Sequence, residues 1–263
     1  MTSRPAHFAQ IDDDNFQPSA FAQSHWGEDH LGGPAVVGLA AHILEAAYGL
    51  PEFLPSRLTV DLFRAARGVP TTGKVALIRE GRRVRNSECE LIQNGVTVAR
   101  AILVQYRHAE APRGQEWARV PDFSPPAELD ESGGINLGSD GVGWTTTIAE
   151  HQNTARKRCI IRTIDVVEGQ ANTPFVSAVV AAESTSLVTN LGTAGVGYIN
   201  GDLTVALSRL PEDGWIGLEA DSHWAAGGVS VGAATLFDRA GALGTGLVTA
   251  VSNPAAQIDF GAV

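Results

Sequence analysis

The sequence contains little cysteine and no concentrated positive charge. Its two cysteines, Cys89 and Cys159, are far apart and match no Cys-x-x-Cys or Cys/His ligand spacing. This excludes a disulfide framework and gives no sign of a zinc site, so we expect two buried thiols and no bound metal. Nineteen basic residues stand against 29 acidic ones, a formal charge of -10, and no Lys/Arg cluster is present that could neutralise a phosphate backbone. We therefore expect no nucleic-acid partner, although a few local groups could still bind a nucleotide-tailed ligand.

Long apolar runs are also absent. The first 25 residues contain no apolar signal-peptide core, and no later stretch reaches the roughly 18 apolar residues of a membrane span. We expect a soluble, cytoplasmic protein without a membrane partner. With 44% hydrophobic residues in a chain of 263, there is enough apolar material for one large core or for two domains of about 130 residues.

What the sequence does have is an internal repeat. The segment LTVDLFR at 58–64 returns as LTVALSR at 203–209, and in both copies apolar residues alternate as they do in a half-buried strand. Each copy is followed by further strand-like runs, the last two joined at a glycine turn, QNG at 93–95 and RAG at 239–241. The repeat therefore predicts two copies of one folding unit.

Each repeated strand follows a predicted helix. Pro34 opens the first and Pro174 the second, at the position where proline loses no helical hydrogen bond, and Gly49 marks the end of the first. The order helix and then four strands, occurring twice, predicts an α+β tandem in which two antiparallel sheets are each wrapped around a long helix. We expect one unit at residues 1–110, a Pro- and Gly-rich linker at 111–141, and the second unit at 142–263.

Glu183 interrupts the apolar face of the second predicted helix. Aligning Pro34 with Pro174 places Ile43 opposite Glu183, so only the second copy has an acid there. A carboxylate in such a face is hydrogen-bonded, has a raised pKa or borders a cavity, and perturbed carboxylates gather at active sites. Alternatively, Glu183 reaches the surface at the helix end. On a 3.6-residue period the rest of that face consists of Val176, Val179, Val180 and Leu187.

Two other segments carry candidate site residues. Asn200 and Asp202, just before the second repeated strand, would face the same side of an extended chain, where Asn200 could orient a water and Asp202 could hold Asn200 or a loop. Alternatively, these residues form a turn. Gly32 and Gly33 precede the first helix and would let a ligand approach its N–H groups, or else they only make a tight bend.

Taken together, these segments resemble the double-hotdog acyl-CoA thioesterases of the acyl-CoA thioesterase II type. The likeness spans about residues 15 to 253, and its specificity comes from the order of its motifs. They are SHWGEDHLGGPAVVGLAAHILE, LTVDLFR, EGRRVRNSECELIQNG, NGDLTVALSR and WIGLEA.

The resemblance implies an active site in the second copy. The family's helix acid, usually Asp, falls on Glu183, and the residue that starts the following strand falls on Asn200. The family's Gln on a late strand has no counterpart, because that place is taken by Val248 or Thr249, depending on the register. Of these two, only Thr249 could hydrogen-bond a water.

The resemblance thus implies an enzyme of lipid metabolism that hydrolyses an acyl-CoA with water activated by Glu183. It implies no cofactor, and a homo-oligomer formed through the sheets is possible. One alternative is a non-hydrolytic double hotdog that binds acyl thioesters or another apolar ligand. A hotdog hydratase is a third reading, but such enzymes pair an acid with a nearby His, and none lies between Pro174 and Asn200.

Overall fold

A computed structural model describes residues 4–119, 123–126 and 134–261 of the chain. In these ranges the helices are α1 (Gly33–Tyr48), α2 (Pro174–Ala182) and α3 (Thr185–Asn190). The strands are β1 (Ala6–Gln10), β2 (Asn15–Pro18), β3 (Phe53–Leu62), β4 (Thr71–Glu80), β5 (Val84–Gln93), β6 (Val96–Arg107), β7 (Gly134–Ser139), β8 (Gly143–Thr145), β9 (Lys157–Arg162), β10 (Asp165–Val167), β11 (Leu191–Gly192), β12 (Gly195–Val196), β13 (Tyr198–Asn200), β14 (Asp202–Leu207), β15 (Ile216–Ala226), β16 (Val229–Asp238) and β17 (Gly241–Ser252).

The predicted order of one helix and four strands is present in the first copy as α1 and β3–β6. The second copy repeats it as α2 and β14–β17, but α3 and β11–β13 lie between them, and the expectation of two separate sheets is wrong. Fifteen of the described strands form one sheet in the order β10-β1-β2-β4-β5-β6-β3-β14-β17-β16-β15-β9-β7-β8, with β13 beside β17. The two halves join because β3 and β14 pair antiparallel at the middle of the sheet. The alternation of residues predicts which face of a strand is buried, but it does not predict which edges meet.

The strands that pair at this junction are the two copies of the repeat. Leu58 lies opposite Val205 and Val60 lies opposite Leu203, while the Oγ1 atoms of Thr59 and Thr204 are 3.0 Å apart. Equivalent residues of the two copies thus make the same contacts across the junction. This is the arrangement that a two-fold axis produces.

The helices lie antiparallel on the same side of this sheet. Gly38 of α1 faces α2 so closely that a Cβ there would lie 2.7 Å from Cγ2 of Val180. At one end of the pair, the hydroxyl of Thr173 caps α2 and donates to the carboxylate of Glu45 in α1. Near that end Ile43 of α1 packs onto Gly73 of β4. The boundaries expected for α1, with Pro34 in its first turn and Gly49 at its end, are confirmed.

The second helix is shorter than expected because it tightens after Ala182. The N–H of Ser184 donates to the carbonyl of Ala181 at 3.0 Å, and the N–H of Ser186 donates to the carbonyl of Glu183 at 3.1 Å. These three-residue bonds are those of a 3₁₀ turn, and they separate α2 from α3. A 3.6-residue pattern gives no warning of such a turn.

The predicted linker at 111–141 includes part of the sheet. Its residues 134–139 form β7, which pairs with β9 in the second half, so the linker ends before residue 141. Residues 111–119 are exposed. The linker positions 120–122 and 127–133 lie outside the described residues, as do residues 1–3 and 262–263 of the two predicted units.

The two-fold relation predicts matched losses of stability on the two sides of the junction. Leu58 and Leu203 are fully buried at equivalent positions, so replacing either with Ala should lower the free energy of unfolding by about 2–5 kcal/mol. Thr204→Ala, which removes one hydroxyl from a partly buried pair, should cost only about 1 kcal/mol. Urea unfolding followed by circular dichroism measures all three, and a large loss at only one leucine would contradict equivalent packing.

Candidate active site

A cavity of about 830 Å³ lies between the two halves at the end of the helix pair opposite Thr173. The first half lines it with residues of the segment 21–36, with residues 62–66 and with His7 of β1. The second half contributes the turn after α2, Ser186 and Leu187 of α3, residues of the segment 196–201, and the chain from Val251 as far as Phe260. The titratable side chains on its wall are His7, His25, His30, Arg64 and Glu183.

Glu183 sits at the end of α2, half-buried on the cavity wall. Its Oε1 accepts a hydrogen bond from Nδ2 of Asn200 at 3.0 Å. Burial raises the pKa of Glu183 to about 8, against the opposing effect of the bond from Asn200. A carboxyl group with a pKa of about 8 can both take and return a proton near neutral pH.

The start of α1, in the first half, lies against this carboxylate. Gly33 is so close that a Cβ on it would lie 2.0 Å from Oε1 of Glu183, so no larger residue fits without moving the carboxylate. Helix N-termini carry unpaired N–H groups and partial positive charge. The N–H of Gly32 is already bound to the carbonyl of Ala22 at 2.8 Å. The N–H of Gly33, at the first position of the helix, has no intrahelical acceptor.

Asn200 is fixed by a residue that the sequence reasoning missed. The hydroxyl of Ser186, in α3, donates to Oδ1 of Asn200, so the Nδ2 of that amide is turned toward Glu183. Ser186 follows Glu183 by three residues, a spacing that places two side chains on one side of a helical turn. That spacing was the available signal.

Asp202 and Thr249 are not part of this contact. The carboxylate of Asp202 accepts from the backbone N–H of Thr249 at 2.9 Å and also from its hydroxyl. Neither residue lines the cavity, although Asn200 does, because the exposed Gly201 separates β13 from β14 and breaks the alternation between them. Gly32 and Gly33 both line the cavity, whereas Val248 is fully buried.

Two models of acyl-CoA thioesterase domains match the chain. The model of the N-terminal domain matches residues 22–106, and the model of the C-terminal domain matches residues 107–247. The chain belongs to the acyl-CoA thioesterase family. A comparison with curated protein sequences gave no match.

Solved structures confirm the hotdog fold of this acyl-CoA thioesterase family member. The TesB protein of Mycobacterium avium subspecies paratuberculosis has a TM-score of 0.65 at 17% identity, covering 94% of this chain and 96% of its own. A protein with a hotdog fold from Alicyclobacillus acidocaldarius has a TM-score of 0.66 at 16% identity, with coverages of 92% and 94%. The acyl-CoA thioesterase II TesB2 of Mycobacterium marinum has a TM-score of 0.64 at 14% identity, with coverages of 94% and 95%.

Within residues 4–119, 123–126 and 134–261, no group of three or more His, Cys, Asp or Glu side chains could hold a metal ion. Cys89 and Cys159 are free and buried, and burial raises the pKa of the Cys89 thiol to about 12. None of the helices in the described part of the chain combines the length and the apolar character needed to cross a membrane.

The raised pKa of Glu183 predicts a pH-dependent stability. In the unfolded chain its pKa is about 4.5, so between pH 4.5 and about 8 the folded state holds the extra proton. Stability should therefore fall as pH rises through this window. Glu183→Gln, which cannot ionise, should lose less stability over the same range. Thermal unfolding from pH 4 to 9 tests this, and parallel curves for the two proteins would contradict it.

The contact between Gly33 and Glu183 predicts a specific clash. Gly33→Ala should lower the free energy of unfolding by about 1–3 kcal/mol, because the new methyl group overlaps the carboxylate. Gly32→Ala is the matched control, since its Cβ would meet no atom nearer than 3.6 Å, and it should cost about 0.5–1 kcal/mol, the loss expected for Ala at a helix N-cap whatever residue stands at 183. In a Glu183→Ala background the cost of Gly33→Ala should largely disappear. Denaturant titration measures each loss, and an equal loss in both backgrounds would show that the clash lies elsewhere.

Proposed function

We propose that this chain hydrolyses an acyl-CoA thioester to the free acid and CoA, with Glu183 as general base for the attacking water. The observation that carries the proposal is the contact of Glu183 with Asn200 on the wall of a cavity, against the start of α1. Membership of the acyl-CoA thioesterase family supports the substrate class. Water is the only other reactant, and in this proposal the carboxylate of Glu183 activates it.

In this mechanism the ionised carboxylate of Glu183 takes a proton from a water molecule. At the same time the oxygen of that water attacks the carbonyl carbon of the thioester. Asn200 holds the carboxylate in place and lies close enough to orient the water. The carbonyl oxygen becomes negatively charged and is stabilised by the N–H of Gly33 and the positive end of α1. The carbon–sulfur bond then breaks, and the departing thiolate takes the proton from Glu183.

In this proposal Asp202 and Thr249 take no part in catalysis. Their hydrogen bonds connect β14 to β17. Because the Thr249 hydroxyl donates to Asp202, it is not available to donate to a water in the cavity. This arrangement, and the absence of the family's late-strand Gln, favours one second candidate function, a protein that binds acyl thioesters without hydrolysing them. The two functions differ in a single measurement, the release of thiol.

Acyl-CoA substrates of increasing chain length, with release of free thiol as the readout, test the function. The wild-type rate should rise with pH through about 8 as Glu183 ionises. Glu183→Gln should lower kcat by about 10²–10⁴-fold, the usual contribution of a general base. Glu45→Gln is the control, since Glu45 is also a half-buried helical glutamate with a pKa raised by burial, but it does not line the cavity.

An unchanged rate in Glu183→Gln would overturn the role of Glu183. Calorimetric binding of acyl-CoA by the wild type without thiol release would favour the non-hydrolytic function instead. Full activity is expected in Glu45→Gln.

A further inference from the structure

From Asn200 a chain of hydrogen bonds runs to Ser186, which also lines the cavity, and on to buried residues of the second half. Nδ2 of Asn190 approaches the hydroxyl of Ser186 at 3.5 Å, and Ser186 donates to Oδ1 of Asn200. On its other side, Oδ1 of Asn190 accepts from the hydroxyl of Ser230 at 2.9 Å and from Nε2 of His223 at 3.2 Å. Asn190 and Ser230 are buried, while His223 is exposed on β15.

All the bonds in this chain point the same way. Ser230 donates to Asn190, Asn190 to Ser186, Ser186 to Asn200, and Asn200 to Glu183. An ionised carboxylate has only acceptor atoms, so a chain that ends on a donor suits the form of Glu183 that takes a proton from water. With the Ser186 hydroxyl removed, nothing in this chain would keep the Asn200 amide from turning its oxygen toward the carboxylate.

Two glycines on the sheet let α3 come close enough to build this chain. A Cβ on Gly232 of β16 would lie 2.2 Å from Oγ1 of Thr189, and one on Gly246 of β17 would lie 2.2 Å from Oγ1 of Thr185. The polar residues of α3 thus pack directly against the sheet. Within this packing the side chains of Ser186, Asn190 and Ser230 are hydrogen-bonded to one another, which restricts their orientations.

We propose that Ser186 and Asn190 are positioning residues, which hold the Asn200 amide with its nitrogen toward Glu183 and are anchored in turn by Ser230 and His223. This inference rests on the proposed function for its catalytic meaning. The orientation of the Asn200 amide, with Oδ1 toward Ser186 and Nδ2 toward Glu183, does not depend on that function.

Two measurements on the full-length protein test the proposal. Ser186→Ala should lower kcat by roughly tenfold with KM little changed, and it should raise the pKa of Glu183 by about one unit, which corresponds to a tenfold change. That pKa is read from a ¹³C-carboxyl titration of glutamate-labelled protein, with Glu183→Gln identifying the resonance. Asn190→Ala should shift both quantities in the same direction. Ser186→Thr, which keeps the hydroxyl, should restore both.

Thr189→Val is the matched control. Thr189 lies on the same helix and its hydroxyl is also buried, but that hydroxyl bonds only the carbonyl of Thr185 and takes no part in the chain. The variant should keep the wild-type kcat and the wild-type titration of Glu183. The three histidines on the cavity wall (His7, His25 and His30) and the guanidinium of Arg64 are the same in every variant.

The proposal is overturned if Ser186→Ala titrates like the wild type, or if Thr189→Val shifts the pKa of Glu183 as far as Ser186→Ala does. Failure of the proposed function is a separate result. If the wild type releases no thiol from any acyl-CoA, hydrolysis is excluded, whereas the carboxyl titration still decides whether Ser186 and Asn190 orient Asn200.

Discussion

The antiparallel pairing of β3 with β14 is the constraint on which the rest of the structure depends. It joins the two copies of the repeat edge to edge and sets one half against the other by a two-fold relation. That relation places α1 and α2 side by side in opposite directions. As a result the first turn of one helix meets the last turn of the other, and Gly33 comes to lie against Glu183. The candidate site is therefore a product of how the halves join.

Much of the fold could be predicted from the sequence because its signals are local. The recurrence of LTV, the prolines at the helix starts and the glycine turns are each read within a few residues. The single continuous sheet was missed for a physical reason. Edge-to-edge pairing is decided by backbone groups that every residue possesses, so the sequence pattern does not reveal it. The strand β7 was missed because it follows a Pro- and Gly-rich stretch and itself contains Gly134 and Gly138, which are not typical of strands.

In the site, too, the residues with a local sequence signal were predicted, and those whose role depends on distant contacts were not. Glu183 was found because an acid in an apolar stripe is visible in the sequence, and the structure places Asn200 beside it. Ser186 was missed because its spacing from Glu183 does not predict that the chain after α3 brings Asn200 back to its hydroxyl. Asp202 was expected beside Asn200 on one continuous strand, but Gly201 interrupts that strand and Asp202 bonds Thr249 instead.

The two ends of the helix pair show what fusion of two copies permits. In a dimer of identical subunits both ends must be alike, since every substitution is made in both subunits at once. In this single chain the end opposite the cavity carries Thr173 and Glu45 in mutual contact, with Ile43 packed onto Gly73 nearby. The carboxylate at one end thus joins the two helices, while the carboxylate of Glu183 at the other end faces the cavity. The chain therefore presents one cavity-lining carboxylate for each pair of repeated units.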